Sequence, residues 1–414
     1  LIYWDDGKMD LLQFDRRTKV RGTKHEALNY KISDGPLILG HFLRRKNRFV
    51  VQVEIEGAAT FAYLPNPGRL WEILLPGVSL LLAPSKGELP FVVMAAKRRG
   101  DWVLLHTHVV NDVVDWMIRH DLVPDLSGAK ILEREVAVNK SRIDFLLERC
   151  GRKIFLEVKS CTLFGSYVAA FPDAVTARGK RHIEELALLA KDGYEVALLF
   201  LVNSLRPKFF LPDYHTDLAF SEALAENRHA VDVMPLGVRW SEEMKMGDLP
   251  AKLSIPWGLI EEEMADRGAY LSIFEVDGFR EIDIGALGRV QLRPGFYVYT
   301  GSGKKNLTAR INRHLRRRKV FHWHVDYLRE VSESVLNLPI RTADDIECDL
   351  AASMKEIAND IVSNFGCSDC RCDSHLFYFS SDPLKRSDFM ERLLYFRFDR
   401  LWDKINTRQW EECK

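Results

Sequence analysis

The sequence predicts a multidomain chain of α/β and α+β character: a small antiparallel β-barrel, then an α/β domain, then a further α/β unit. Three observations predict it. The 414 residues exceed what one ordinary hydrophobic core organises. Strand-length apolar runs punctuated by Pro and Gly crowd residues 35–110, the pattern of a small barrel. From residue 111 onward such runs alternate with helical segments, the mark of α/β architecture.

Each element follows in order. RFVVQVEI and ATFAYL are strand-length runs of β-branched and aromatic residues. PNPGRL and LPGVSL supply turns, and VSLLLAPS, PFVVMAAK and DWVLLHTH continue the strands. Over 111–240, EVAVN, IDFLLER, KIFLEVKS and YEVALLFLV read as strands, and RGKRHIEELALLAKDG as a helix that Gly193 ends. Residues 241–267, polar and carrying Pro250 and Pro256, read as a linker. Over 268–380, AYLSIFEV, GRVQL and GFYVYT are strands, followed by a basic helix and a helix around IECDLAASMKEIAND. Residues 381–414 form a helical, aromatic-rich extension, and residues 1–34 are set apart as an N-terminal extension.

Composition removes some function classes. Lys+Arg and Asp+Glu both number 59, so overall charge selects no partner and only local charge can. No apolar run approaches the roughly 20 residues of a membrane-spanning helix. The first residues are acidic and interrupted, unlike a secretory leader. Seven cysteines, three of them at Cys367, Cys370 and Cys372, do not resemble a secreted disulfide framework, so a cytoplasmic chain is expected.

The segment KIFLEVKS carries the first candidate site. Alternate side chains of a strand share a face, so Glu157 and Lys159 point one way, while Leu156 and Val158 point the other. SRIDFLL lies just upstream, and the short turn ERCGRK makes a hairpin that sets Asp144 beside Glu157. Two converging carboxylates suit a hard cation such as Mg²⁺, and a neighbouring ammonium can stabilise charge on a phosphate. Glu135 is a further acid within reach. A surface ion pair on an edge strand explains Glu-x-Lys equally simply. With Asp144 upstream, the segment resembles the PD-(D/E)xK nuclease superfamily.

The motifs NRFVVQVE, LPNPGRLWEILLPG, SRIDFLL, LEVKSCTL and FPDAVTARGKRHIEEL, in this order, resemble the sugar fermentation stimulation protein (SfsA) family over roughly residues 35–255. The resemblance implies an OB-like barrel followed by a PD-(D/E)xK-like nuclease domain that binds nucleic acid. It carries over Asp144 and Glu157 as Mg²⁺ or Mn²⁺ ligands, Lys159 as the catalytic lysine and Glu135 as a fourth member. Asp173, Arg178, Lys180 and His182 fall in a matching block. Arg178 and His182, four apart on a helix, are expected to contact phosphate, with capping and surface charge as the alternative. In the barrel, Asn47, Arg48, Asn66 and Arg69 are candidate backbone contacts. Asn66, between two prolines, suits a turn as well.

The second informative stretch is GFYVYTGSGKKNLTARINRHLRRRKVFHWHVDYL. Tyr297 and Tyr299 share a strand face, and Gly301 and Gly303 permit a tight turn. Arg310, Arg313, His314 and Arg317 recur at helical spacing. No acidic residue occurs from Gly301 to Val325, so the stripe is a candidate phosphate-binding surface. GAY at 268–270, YTG at 299–301, Arg310, His314 and Glu347 resemble elements of GIY-YIG endonucleases, through an uncharacterised GIY-YIG-like domain family spanning about 268–380. That resemblance implies Tyr270 and Tyr299 near the attacking water, a phenol with a lowered pKa taking its proton, Arg310 on the phosphate and Glu347 on one Mg²⁺ or Mn²⁺. Ala269 in place of Ile and a longer gap between motifs depart from the nuclease pattern, so binding alone, or core tyrosines, stand as alternatives.

Cys367, Cys370, Cys372 and His375 have zinc-ligand spacing, with Cys348, His322 and His324 as further candidates. Buried thiols with a satisfied core histidine are the alternative. Together these features lead to a metal-dependent nuclease (a hydrolase, and an endonuclease by resemblance) acting on DNA or RNA. A non-catalytic DNA-binding regulator, linked by family name to sugar metabolism, is the alternative.

Overall fold

Alternation of apolar and polar residues turns the first strands into a closed barrel. The computed structural model describes residues 30–33, 35–138 and 141–412. β1 (Ile38–Asn47) pairs antiparallel with β2 (Val50–Ile55), and β2 with β3 (Ala58–Tyr63). On its other side β1 pairs with β4 (Ser79–Pro84), which pairs with β5 (Phe91–Arg98). A parallel contact of β3 with β5 at Ala62 and Phe91 closes five strands into an OB-like barrel, and β6 (Asp101–Leu104) extends β5. Phe42, Val51, Val53, Ala62, Leu80, Leu82 and Val93 are buried in one core, as period-two patterning requires. Of the expected N-terminal extension, all but residues 30–33 lies outside the described residues.

The second domain begins with α1 (Val110–Arg119). β7 (Lys130–Val138), β8 (Ser141–Arg149) and β9 (Arg152–Cys161) form an antiparallel meander. The β8–β9 hairpin turns on Cys150 and Gly151, with φ of 51° and 76°, the left-handed pair that matches strand twist. β10 (Leu163–Phe164) and β11 (Val168–Phe171) follow, then α2 (Ala177–Lys191), whose N-cap Thr176 accepts from the Gly179 N–H at 3.0 Å. β12 (Glu195–Val202) lies parallel to β9 and is buried from Val196 onward, the continuous apolar run expected of a strand covered on both faces. β13 (Phe209–Pro212), α3 (Leu218–Glu226), β14 (Asp232–Gly237) and β15 (Ala251–Lys252) complete it. The main sheet runs β15-β14-β12-β9-β8-β7, and a small second sheet runs β10-β11-β13.

The segment 241–267, expected to be a linker, is packed instead. β15 pairs with β14, and α4 (Trp257–Glu263) buries Leu259 and Ile260. Part of its polarity is internal. Glu263 is fully buried and pairs with Arg400 at 2.6 Å and Lys404 at 2.8 Å.

The third unit is built on β16 (Gly268–Val276), the hairpin β17 (Arg280–Ile284) and β18 (Gly288–Leu292), and β19 (Gly295–Gly303). Then come α5 (Leu307–Leu315), α6 (His324–Val331), β20 (Ser334–Arg341), α7 (Glu347–Ile357), β21 (Asp360–Ile361) and β22 (Leu376–Phe379). The antiparallel sheet order is β20-β16-β19-β22-β21. α8 (Ser387–Leu394), a π-helical turn (Tyr395–Asp399) and α9 (Leu401–Glu412) end the described chain. α8 buries Phe389, Met390 and Leu393 in the third unit's core. Phe398, Leu401 and Ile405 pack with Tyr214, Leu259 and Ile260 of the preceding segments. The C-terminal helices therefore clamp two units together. Arg341 reinforces the seam by donating to the Tyr214 and His215 carbonyls at 2.8 and 2.7 Å. Among the described residues no helix is long and apolar enough to cross a membrane.

Candidate active site

The β8–β9 register brings the first set of predicted residues together. Phe145 pairs with Leu156, so Asp144 and Glu157 sit opposite each other one step beyond, where the ladder ends. The Asp144 carboxylate takes over there: Oδ2 accepts from the Val158 N–H at 2.7 Å, and Oδ1 accepts from the Asn111 amide on α1 at 2.8 Å. Glu157 is 2% exposed. Its Oε1 receives both the Lys159 ammonium and His182 Nδ1, the latter at 2.5 Å. Its Oε2 is buried and has no hydrogen-bond partner among the described residues. His182 Nε2 in turn accepts from Arg178 Nε at 3.2 Å, which is consistent with the tautomer that carries its proton on Nδ1.

These groups open onto a cavity of about 410 Å³ lined by Arg48, Asn66, Asp144, Glu157, Lys159 and Arg178 among others. Burial first, then the nearby Glu157 charge, push the Asp144 carboxyl up to about 6 against the pull of its hydrogen bonds and Lys159. Burial would also raise Glu157, but the His182 hydrogen bond and the Lys159 charge outweigh it and hold that carboxyl below its ordinary value. The two carboxylates thus differ in character: Glu157 is held ionised by its partners, while Asp144 resists ionisation more than an ordinary aspartate. The barrel supplies one wall. A Cβ on Gly68 would overlap the Asp173 carboxylate, and Arg45 pins this loop by donating to the Gly68 and Arg69 carbonyls at 2.7 and 2.8 Å.

The second predicted set also converges, with different chemistry. Tyr270 on β16 and Tyr299 on β19 are buried side by side, ring centroids 6.1 Å apart. Gly301 is obligatory there, since a Cβ would overlap the Tyr270 phenol and crowd the Tyr299 ring. Tyr270 Oη lies 2.7 Å from His314 Nε2. Glu347, at the start of α7, lies 3.3 Å from His375 Nδ1, and Arg310 donates to the Ser302 carbonyl nearby. Burial opposes ionisation of Glu347, but hydrogen bonds from His375 and Ser302 and the Arg310 charge lower its carboxyl.

Residues 43–105 match the family described as SfsA N-terminal OB domain, residues 108–244 the sugar fermentation stimulation protein RE domain, and residues 269–394 a domain of unknown function, DUF123. The sugar fermentation stimulation protein homolog of Methanothermobacter thermautotrophicus is 38% identical over 208 residues, which cover 49% of this chain and 86% of that protein. This chain belongs to the sugar fermentation stimulation protein family. The homolog from Natranaerobius thermophilus is 34% identical over 50% of this chain and 93% of its own length. The structure of Pyrococcus furiosus SfsA in complex with Ca²⁺ aligns with a TM-score of 0.51 and 31% identity, covering 55% of this chain and 99% of that one. The family portion therefore takes up about half of the chain, and the DUF123 domain follows it.

Within the family portion, several expected residues play other parts. Glu135 is not gathered into the site. It has φ of 56°, and its exposed carboxylate lies 3.8 Å from Arg142. His182 is 2% exposed and faces Glu157, so it positions a carboxylate and does not meet phosphate; Arg178 and Arg48 do line the cavity. Arg69 lies outside the cavity lining and stacks over Trp71 at 4.8 Å. Asn47 and Asn66 make turns: their Oδ1 atoms accept from the Phe49 and Gly68 N–H at 2.9 Å each. Lys180 is half-buried and lies 3.9 Å from Glu184. Asn111 and Arg45 escaped sequence reasoning: Asn111 carries no charge, and within the basic run Arg44–Arg48 nothing tells which side chain turns inward.

In the DUF123 domain the basic stripe is largely consumed internally. Arg313 pairs with the buried Asp326 at 2.9 Å, Arg317 donates to the Ser332 carbonyl at 3.1 Å, and His314 is 1% exposed. Burial pushes the Tyr270 and Tyr299 phenols up, the opposite direction from the lowered value expected of a proton acceptor. Of the four residues expected to hold zinc, Cys370, Cys372 and His375 gather, but Cys348 joins them where Cys367 was expected. Sequence spacing favoured Cys367; the fold brings α7 to the loop instead. His324 turns away, its Nδ1 accepting from the Gly366 N–H at 3.1 Å, and His322 lies outside the cluster.

Proposed function

We propose that this chain hydrolyses phosphodiester bonds in DNA or RNA at the Asp144–Glu157–Lys159 cleft, with a divalent cation such as Mg²⁺ or Mn²⁺ held by the two carboxylates. The observation that carries the reading is the buried, unpartnered Oε2 of Glu157 beside Asp144. An orphaned carboxylate oxygen beside a second carboxylate fits a hard cation. The Pyrococcus furiosus relative was solved in complex with Ca²⁺, a hard cation of the class proposed here. When bound, such a cation supplies Lewis-acid polarisation of a phosphate oxygen.

The chain's own residues do the rest. Asn111 and the Val158 N–H hold the Asp144 carboxylate in place. His182, held by Arg178, fixes the Glu157 rotamer. Lys159, at the cavity wall, faces the negative charge that grows on a phosphate as it is attacked, where a preorganised cation is most effective. Arg178 and Arg48 give the entering backbone two further cationic contacts, and the barrel forms the other wall, as such barrels do for single strands.

The test is cleavage of labelled single- and double-stranded DNA and RNA by the full chain across a Mg²⁺ and Mn²⁺ titration. Metal-dependent cleavage that Asp144→Asn abolishes while binding persists supports the enzyme. Binding without cleavage under either metal supports a non-catalytic regulator.

A further inference from the structure

A second group of metal-ligating side chains lies in the DUF123 domain, apart from the carboxylate cleft. The Sγ atoms of Cys348, Cys370 and Cys372 and a ring nitrogen of His375 all lie within 4.8 Å of one another. Among the described residues none of the three cysteines is in a disulfide. A tetrahedral Zn²⁺ with sulfur ligands near 2.3 Å and nitrogen near 2.0 Å separates its ligand atoms by roughly 3.6–3.8 Å. His375 Nε2 already stands 3.4 Å from Cys370 Sγ, so the group needs only small side-chain adjustments.

The histidine points to a ligand independently of the thiols. His375 is 2% exposed, and its backbone is fixed, donating to the Phe365 carbonyl and accepting from the Thr300 N–H on β19, at 2.8 and 2.9 Å. Its Nε2 faces the thiols, while Nδ1 faces Glu347 at 3.3 Å. A ligating imidazole whose other nitrogen meets a carboxylate is the arrangement that fixes tautomer and ring orientation at metal sites. Placement adds a structural purpose. Cys348 lies in the first turn of α7, and the other three ligands lie on the long connection from β21 to β22. An ion here staples that connection, which has few buried apolar residues of its own, to the helix that carries Glu347.

We infer that Cys348, Cys370, Cys372 and His375 bind one Zn²⁺, and that this ion, through His375, positions Glu347 beside Tyr299 and Arg310. On binding, each thiol releases its proton to solvent and His375 ligates as the neutral imidazole. Glu347 is thereby a carboxylate that orients a ligand, and the Mg²⁺ or Mn²⁺ role implied for it by resemblance is not needed. Three thiolates select zinc over harder cations, which separates this site from Asp144 and Glu157.

The experiment measures metal in the full chain after dialysis against a weak chelator, then titrates Co²⁺ into the stripped chain. The inference expects about one equivalent of zinc per chain and the intense near-ultraviolet thiolate-to-cobalt absorption of a tetrahedral sulfur-rich site. Cys372→Ser loses both, while Cys367→Ser and Asp144→Asn keep both. Because Cys372→Ser can fail to fold, the Co²⁺ spectrum of the unaltered chain stands as the second readout. A folded chain with negligible zinc and no thiolate-to-cobalt absorption overturns the inference, as does a thiol titration showing two of these cysteines oxidised. Retention of zinc by Asp144→Asn, whatever its cleavage, keeps this result distinct from that of the nuclease reading.

Discussion

His182 Nδ1 lies 2.5 Å from Glu157 Oε1, with both side chains inside the fold and Arg178 holding the far nitrogen of the ring. A helix and a strand thus meet in one hydrogen bond that decides where a carboxylate points. His182→Ala is expected to lower turnover about 10–100-fold, the usual effect of losing a group that orients a metal ligand, with KM for the nucleic acid little changed. His182→Gln, which retains a donor, loses less. Single-turnover and steady-state cleavage kinetics check this. Equal loss in both variants, carried in KM, speaks against a positioning role.

Lys159→Ala removes the cation expected to meet developing phosphate charge. Turnover should drop about 100–1000-fold, while binding measured by fluorescence anisotropy changes little. Arg178→Ala, by contrast, removes both a cavity wall charge and the support of His182, so it should raise KM and lower turnover together.

Stability should respond to pH through Glu72, a carboxyl outside the cleft lining. Glu72 is 7% exposed with Oε1 unpartnered. Burial, opposed by Arg98 and reinforced by Asp173, pushes its carboxyl from 4.5 up to about 7. A carboxyl raised in the folded chain holds its proton more tightly there than when unfolded. Its stabilising contribution is therefore complete below the unfolded value of 4.5 and lost as pH rises through about 7. Urea midpoints should fall between pH 5 and pH 8 by a contribution of order 3 kcal/mol, and Glu72→Gln should flatten that slope. An unchanged slope in the variant places the titration elsewhere.

Gly301→Ala should destabilise the DUF123 domain by about 1–3 kcal/mol, the cost of overpacking a filled site, because its methyl group meets Tyr270 and Tyr299. Denaturant unfolding followed by tyrosine and tryptophan emission reads this. No loss of stability means the two rings can move apart.

Much of this was legible in the residue pattern. The alternation in KIFLEVKS and the short turn ERCGRK are enough to set Asp144 beside Glu157, because strand pairing is local and its period is two. Barrel strands were legible for the same reason. Helical spacing was less informative, since it groups Arg178 with His182 and Arg313 with Arg317 without telling which face looks inward. His182 turned out to face a carboxylate and Arg313 a buried Asp326. Cys348 was weighed only as an addition to Cys367, because close spacing is visible in sequence and the approach of α7 to a distant loop is not. Polarity misled at 241–267, where Glu263 is charged yet buried between partners 137 and 141 residues away.

We expect Asp144 and Glu157 to share one divalent cation, a claim that calorimetric titration of Mn²⁺ into the full chain, with the cysteine cluster already loaded with zinc, puts to the test. The unaltered chain should show one oxygen-donor site that Asp144→Asn and Glu157→Gln each weaken tenfold or more without loss of fold by circular dichroism. Equal Mn²⁺ affinity in all three proteins would contradict the claim.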